Sequence, residues 1–216
     1  VYTNSAKFND EFDWSQGWTN NGLVISDNCE VKFDYTPFPI QNDADSEELK
    51  KEWVGGLKGY TFEIEFMTQN VTDENAVVCD MTYNGCGFKI TGSQFIFTTP
   101  QKNSVSTRFK SDEMNRIALV VRPHTKNVDG KDTFDKGLIE LYVNGELSNI
   151  AKYTEVEKFE VVETVDGKNI SKPLTFRGAN GADIVIKYIR AYNGVVSADE
   201  LVNNYILFRS NSSEML

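Results

Sequence analysis

The chain has 216 residues and a formal net charge of −10 at pH 7. That charge repels phosphate backbones and anionic lipid, and no apolar run approaches the roughly 18 residues of a membrane span, so nucleic acid and membrane insertion are excluded. Hydrophobic residues at 40% supply a sizeable core, and aromatic residues at 12%, with 14 Phe and 9 Tyr, favour ordered β structure over disorder.

Most of the periodicity along the chain is two. "GLVIS" and "CEVKFDY" (Cys29–Tyr35) read as a hairpin around Asp27-Asn28. "DADSEELKKEWV" (Asp43–Val54) breaks the alternation. Asp45 and Glu48 have capping-box spacing and Leu49 and Trp53 share a face, so a short helix is predicted. "YTFEIEF" then places Tyr60, Phe62, Ile64 and Phe66 on one face, with Thr61, Glu63 and Glu65 on the other, the pattern of a half-buried strand. "AVVCDMTY", "GFKI" and "QFIFTT" follow as a meander separated by "NGCG" and "TGS" turns. "RIALVVR" (Arg116–Arg122) and "LIELYV" (Leu138–Val143) form the next pair, joined by the polar stretch "PHTKNVDGKDTFDKG", read as a loop. Asn144-Gly145 after "LIELYV" fits a type I′ turn, because both central positions need positive φ. "ADIVIKYIRAY" (Ala182–Tyr192) is a late strand. In "SADELVNNYILF" (Ser197–Phe208), Ser197 and Glu200 complete a capping box and Leu201 and Tyr205 share a helical face.

Three cysteines, Cys29, Cys79 and Cys86, are an odd count and give no disulfide framework; Cys79 and Cys86 are the one pair that neighbouring strands could join. No second domain, internal repeat or low-complexity linker interrupts the chain. It reads as one domain over residues 1–216, with a core of about 10–207 and a polar tail, "RSNSSEML". Val1 in place of an initiator Met suits a piece of a larger protein.

The order "GYTFEIEF", "NRIALVV", "LIELYVNGEL" and "ADIVIKYIRAYNGVVSADELVNNY" resembles the concanavalin A-like, laminin-G-like jelly-roll superfamily. The Arg-x-Tyr-Asn, small loop and capped "SADEL" segment carry most of that likeness. It is similar to modules in structural, tail or capsid-associated proteins of tailed bacteriophages and in gut bacterial surface proteins. The resemblance implies an all-β, antiparallel jelly-roll β-sandwich with two short helices, placed on a virion surface, or extracellular or at the cell surface. It also implies a structural calcium between an N-terminal loop and a late strand, for which Asp183 is suitably placed; Asp27 and Asn28 in "SDN" and the stretch "FNDEF" (Phe8–Phe12) are the other candidate ligands. Calcium takes hard oxygen donors, about six to eight of them.

Catalytic constellations are missing. Glucanases of this superfamily carry three acids on one strand face. Glu63 and Glu65 alternate correctly for two of them, but Thr68 stands where the third belongs. The single histidine, His124, has no neighbouring nucleophile and acid with which to form a triad. Gly-x-Ser-x-Gly, His-Glu-x-x-His and phosphate-cradling loops are also absent. The chain therefore reads as a non-enzyme, a recognition module.

A jelly roll can hold a glycan on an outer sheet face, where aromatic rings stack on C–H patches and polar groups bond hydroxyls. With Phe62, Ile64, Leu119, Val121, Leu141 and Val143 pointing inward, the outward set is Glu63, Glu65, Asp80, Arg122, Glu140 and Tyr142. Tyr142, Glu140 and Asp80 form the candidate sugar patch, and Trp53 a candidate at the rim of a groove. Ordinary solvated sheet residues would give the same alternation. The expected partner is a carbohydrate, such as a bacterial or gut polysaccharide. The alternative is another virion or surface protein, with the chain acting as a decoration or assembly domain; a divergent glycosidase is the third reading.

Overall fold

The computed structural model describes residues 7–8, 18–19, 21–26, 28–41, 50 and 52–213, with side chains of the last helix through Leu207. Two seven-stranded antiparallel sheets pack face to face as a β-sandwich. The first has the order β1 (Lys7–Phe8), β4 (Glu30–Lys32), β15 (Thr175–Arg177), β6 (Val77–Tyr83), β7 (Cys86–Thr91), β8 (Gln94–Thr98) and β9 (Ser104–Arg108). The second has the order β12 (Glu146–Tyr153), β11 (Lys131–Val143), β10 (Asn115–Val128), β5 (Tyr60–Gln69), β16 (Asp183–Tyr192), β3 (Gly22–Ile25) and β2 (Trp18–Thr19). A separate hairpin joins β13 (Val162–Val165) to β14 (Lys168–Ser171).

Alternation sets the core. Phe62, Ile64 and Phe66 of β5, Ile117, Leu119 and Val121 of β10, and Ile139 and Leu141 of β11 all point between the sheets and are fully buried. Phe62 stacks on Phe88 of the opposite sheet at 5.1 Å between centroids, and Phe88 on Phe95 at 5.4 Å. Burying each such ring contributes about 1.5–3 kcal/mol, so these aromatic contacts hold the two sheets together.

The predicted I′ turn forms at Asn144 (φ 52°) and Gly145 (φ 87°), and it directs Leu141 and Val143 inward. At Gly137 the chain must be bare, since a Cβ there would lie 1.9 Å from the Tyr153 ring. Helix α1 (Ala198–Ser213) begins as the capping box predicts, with Ser197 Oγ accepting from the Glu200 N–H at 3.2 Å.

Two expectations are corrected, and the open question of Cys79 and Cys86 is answered. β3 and β4 do not form a hairpin: β3 pairs with β16 and β4 with β15, so the chain crosses from one sheet to the other between them. The "PHTKNVDGKDTFDKG" stretch is not a loop. β10 and β11 run through it, with a bulge at His124/Thr125, and close on the Asp129-Gly130 turn. Cys79 and Cys86 do not pair, because the β6–β7 register sets Ile90 opposite Cys79 and Tyr83 opposite Cys86; the three cysteines are buried and form no disulfide. Most of the predicted Asp43–Val54 helix lies outside the described residues, as does Asp27.

Candidate functional site

The predicted site residues fall in four places. Glu63, Glu65, Arg122, Glu140 and Tyr142 do share the outer face of the second sheet, but that face is not an open platform. The 193–197 connection and α1 fold back across it, setting Val196 and Leu201 against Ala118, Val120 and Tyr142. Tyr142 is left 6% exposed and Glu63 0%.

The charges beneath this cover are paired. Arg116 donates to Glu63 Oε1 at 2.7 Å, and the Tyr192 hydroxyl donates to Glu63 Oε2 at 3.3 Å. Arg122 grips Glu140 with both Nε and Nη2 at 2.9–3.1 Å, while the Tyr142 hydroxyl donates to the same carboxylate at 3.0 Å. The bond to Glu140 holds the Arg122 guanidinium above its ordinary value, and burial raises the Tyr142 phenol. Lys187 reaches Glu65 at 3.1 Å. The guanidinium groups of Arg116 and Arg190 lie over the Tyr188 ring, 5.4 and 5.0 Å from its centroid. This arrangement satisfies buried charge, and it corrects the view of Tyr142, Glu140 and Glu63 as solvent-facing sugar contacts.

Asp80 is on the other sheet. It is exposed on β6, and its Oδ1 accepts from the Thr82 amide and hydroxyl, so it cannot join Tyr142 in one patch. Trp53 lies at one end of the sandwich, half-buried beneath Lys158, whose Nζ is 5.1 Å from the ring centroid. Asn28 and Asp183 belong to the opposite end.

That opposite end holds an open cleft of about 480 Å³. It forms where β4 starts, β15 finishes and β6 starts. Register sets Arg177 opposite Glu30, and Arg177 Nε donates to the Val77 carbonyl at 3.2 Å, which fixes the guanidinium at the mouth. Asn28, with φ 58°, and the 178–180 backbone complete the wall. Reciprocal amide bonds between Ala179 and Ala182, at 2.9 and 3.0 Å, hold the Asn180-Gly181 turn. Thr72 and Asp73 donate to the Gly181 carbonyl at 2.8 and 3.1 Å, pinning the 70–75 loop beside it. Asp183 accepts from Asn70 Nδ2 at 2.7 Å. Among the described residues no three His, Cys, Asp or Glu side chains gather into a metal-sized cluster.

Among the described residues the cleft offers the Glu30 carboxylate, the Arg177 guanidinium, the Asn28 and Asn180 amides and backbone groups. These suit hydroxyls and ring oxygens. Among the described residues Glu30 is the carboxylate that lines the cleft. Sequence reading missed Glu30, Arg177 and Asn180. The Gly-Ala-Asn-Gly turn after "TFR" was the available signal, since sandwich loops gather binding groups at an end.

No protein-family model and no curated protein matches the sequence. Solved structures do match its fold. A tryptophan-to-alanine mutant of HCR/D superposes with a TM-score of 0.54 at 12% identity, over 94% of this chain and 46% of that one. A botulinum neurotoxin type C structure, whose cell entry depends on interaction with two ganglioside molecules, gives 0.52 at 11% identity, over 86% and 42%. The binding domain of botulinum neurotoxin DC in complex with SialylT gives 0.50 at 11% identity, over 86% and 42%. The chain spans less than half the length of these structures. At such identities the likeness is one of fold.

Proposed function

We propose that the chain is a non-catalytic recognition domain that holds a carbohydrate in the Glu30–Arg177 cleft, as part of a larger virion or bacterial surface protein. The observation that carries this reading is the cleft itself. It is open, polar and built on register-fixed strand ends, whereas the acids of the second sheet are covered and ion-paired. The ganglioside and SialylT ligands of structures with this fold lend support at the level of fold class only.

The test is retention on a broad glycan panel, followed by titration of each hit. Arg177→Ala should weaken binding about tenfold or more, the cost of a lost charge-assisted hydrogen bond. Failure of every glycan to bind would sink the reading. Concentration-dependent self-association in light scattering would then favour the assembly role.

A further inference from the structure

At the end of the sandwich opposite the cleft, two segments, 53–58 and 155–160, are tied together, and the second carries a buried carboxyl group. Glu157 and Gly55 form an isolated antiparallel bridge, so close that a Cβ on Gly55 would lie 2.3 Å from the Glu157 carbonyl oxygen. Gln41 ties the same two segments: its Oε1 accepts from the Val54 N–H at 3.2 Å, and its Nε2 donates to the Phe159 carbonyl at 3.2 Å. Lys158 donates to the Gln41 carbonyl at 3.2 Å while lying over Trp53.

Glu157 is 7% exposed, and its Oε2 is buried with no hydrogen-bond partner. The hydroxyl of the fully buried Tyr153 is likewise buried without one. The charged and titratable groups around Glu157 come from each packed element. Glu155 lies on its own segment and accepts from Gln101 Nε2 at 3.1 Å. Tyr153 ends β12, and the Cys86 thiol starts β7. From the 99–103 turn, the Gln101 backbone bonds to Glu157, and the Lys102 ammonium donates to the Asn84 carbonyl. Glu160 and Lys158 follow on the same segment.

We propose that Glu157 is a pH-operated latch, which keeps the Trp53 segment closed while protonated and loosens it on ionisation. A neutral carboxyl tolerates this site; a carboxylate lacking a donor on Oε2 must reach water, and the Glu157 backbone that would have to shift is the one bridged to Gly55. Burial first, and Glu155 second, push the Glu157 carboxyl from 4.5 up to about 7, against the opposing Gln101 backbone bond.

The sign follows from linkage. Because the closed state holds its proton up to about pH 7 and an opened segment only to about 4.5, the closed state is favoured fully at acid pH. That advantage drains as pH rises between those two values and is level above the upper one.

The test is hydrogen exchange with mass spectrometry on peptides over 53–58 and 153–160, from pH 5 to 8, corrected for intrinsic exchange. Wild-type protection should fall about tenfold per pH unit to near pH 7 and then level off. Peptides over 177–183 should not follow, which separates a local latch from global unfolding and from anything the cleft binds. Glu157→Gln should abolish the fall. Glu155→Gln should make protection level off at lower pH, and this variant carries the test if Glu157→Gln fails to fold. A pH-independent wild type, an unchanged fall in Glu157→Gln, or an unshifted profile in Glu155→Gln would each overturn the proposal.

Discussion

Glu63 and Arg116 lie 0% and 3% exposed with 2.7 Å between their charged atoms, an arrangement that is tolerable only while both charges are present. Arg116→Ala would strand the Glu63 carboxylate with Tyr192 as its hydrogen-bond donor among the side chains described around it. Loss of about 3–5 kcal/mol in urea unfolding is expected, the range for breaking a buried pair. Replacing both residues by leucine should recover most of that loss, since no charge is then left unpaired. If Arg116→Ala is neutral, the network is not the structural element argued above. The alternation of "YTFEIEF" made the outward direction of Glu63 legible in the sequence. Its partner was not, because Arg116 sits 53 residues away and meets it only through the β5–β10 register.

Helix α1 shows the same division at the level of an element. Its start was legible, since a Ser with a Glu three residues on satisfies orphan amides through local geometry alone. Its cover over the second sheet was not, because that rests on Leu201 and Val196 meeting Tyr142 and Val120 across long sequence distances. The β3–β4 crossover escaped for a related reason: alternation tells which way a side chain faces but not which sheet a strand joins. Leu201→Ala should cost about 2–3 kcal/mol, at the lower end of the range for core leucine truncation, as α1 packs along a single face. Ser197→Ala should cost about 1 kcal/mol through the lost cap. In Leu201→Ala, Tyr142 should also become open to nitration, read by mass spectrometry; an unreactive Tyr142 would mean that the helix is not its cover.

Across the whole molecule, the covered ion-paired face and the proposed binding cleft occupy different places. The sandwich class was readable from period-two patterning and turn chemistry, because each strand carries that signal in its own residues. The cleft was not readable as a unit: the Gly-Ala-Asn-Gly turn marks the segment of Arg177 and Asn180, but Glu30 comes from a distant segment and meets them only when β4 and β15 pair. This separation gives a test that neither region supplies alone. Asn180→Ala, on an open turn, should reduce glycan retention while leaving urea unfolding within about 0.5 kcal/mol of wild type, as for surface positions generally. Glu140→Gln weakens the bidentate Arg122 pair beneath α1 and should do the reverse, lowering stability by about 1–3 kcal/mol without touching retention in the protein that remains folded. The cleft and the covered face lie on different sheets, so the two effects should add in the double variant. If Glu140→Gln abolishes retention while the fold stays intact, binding belongs to the α1 face, and the Glu30–Arg177 cleft loses its assignment.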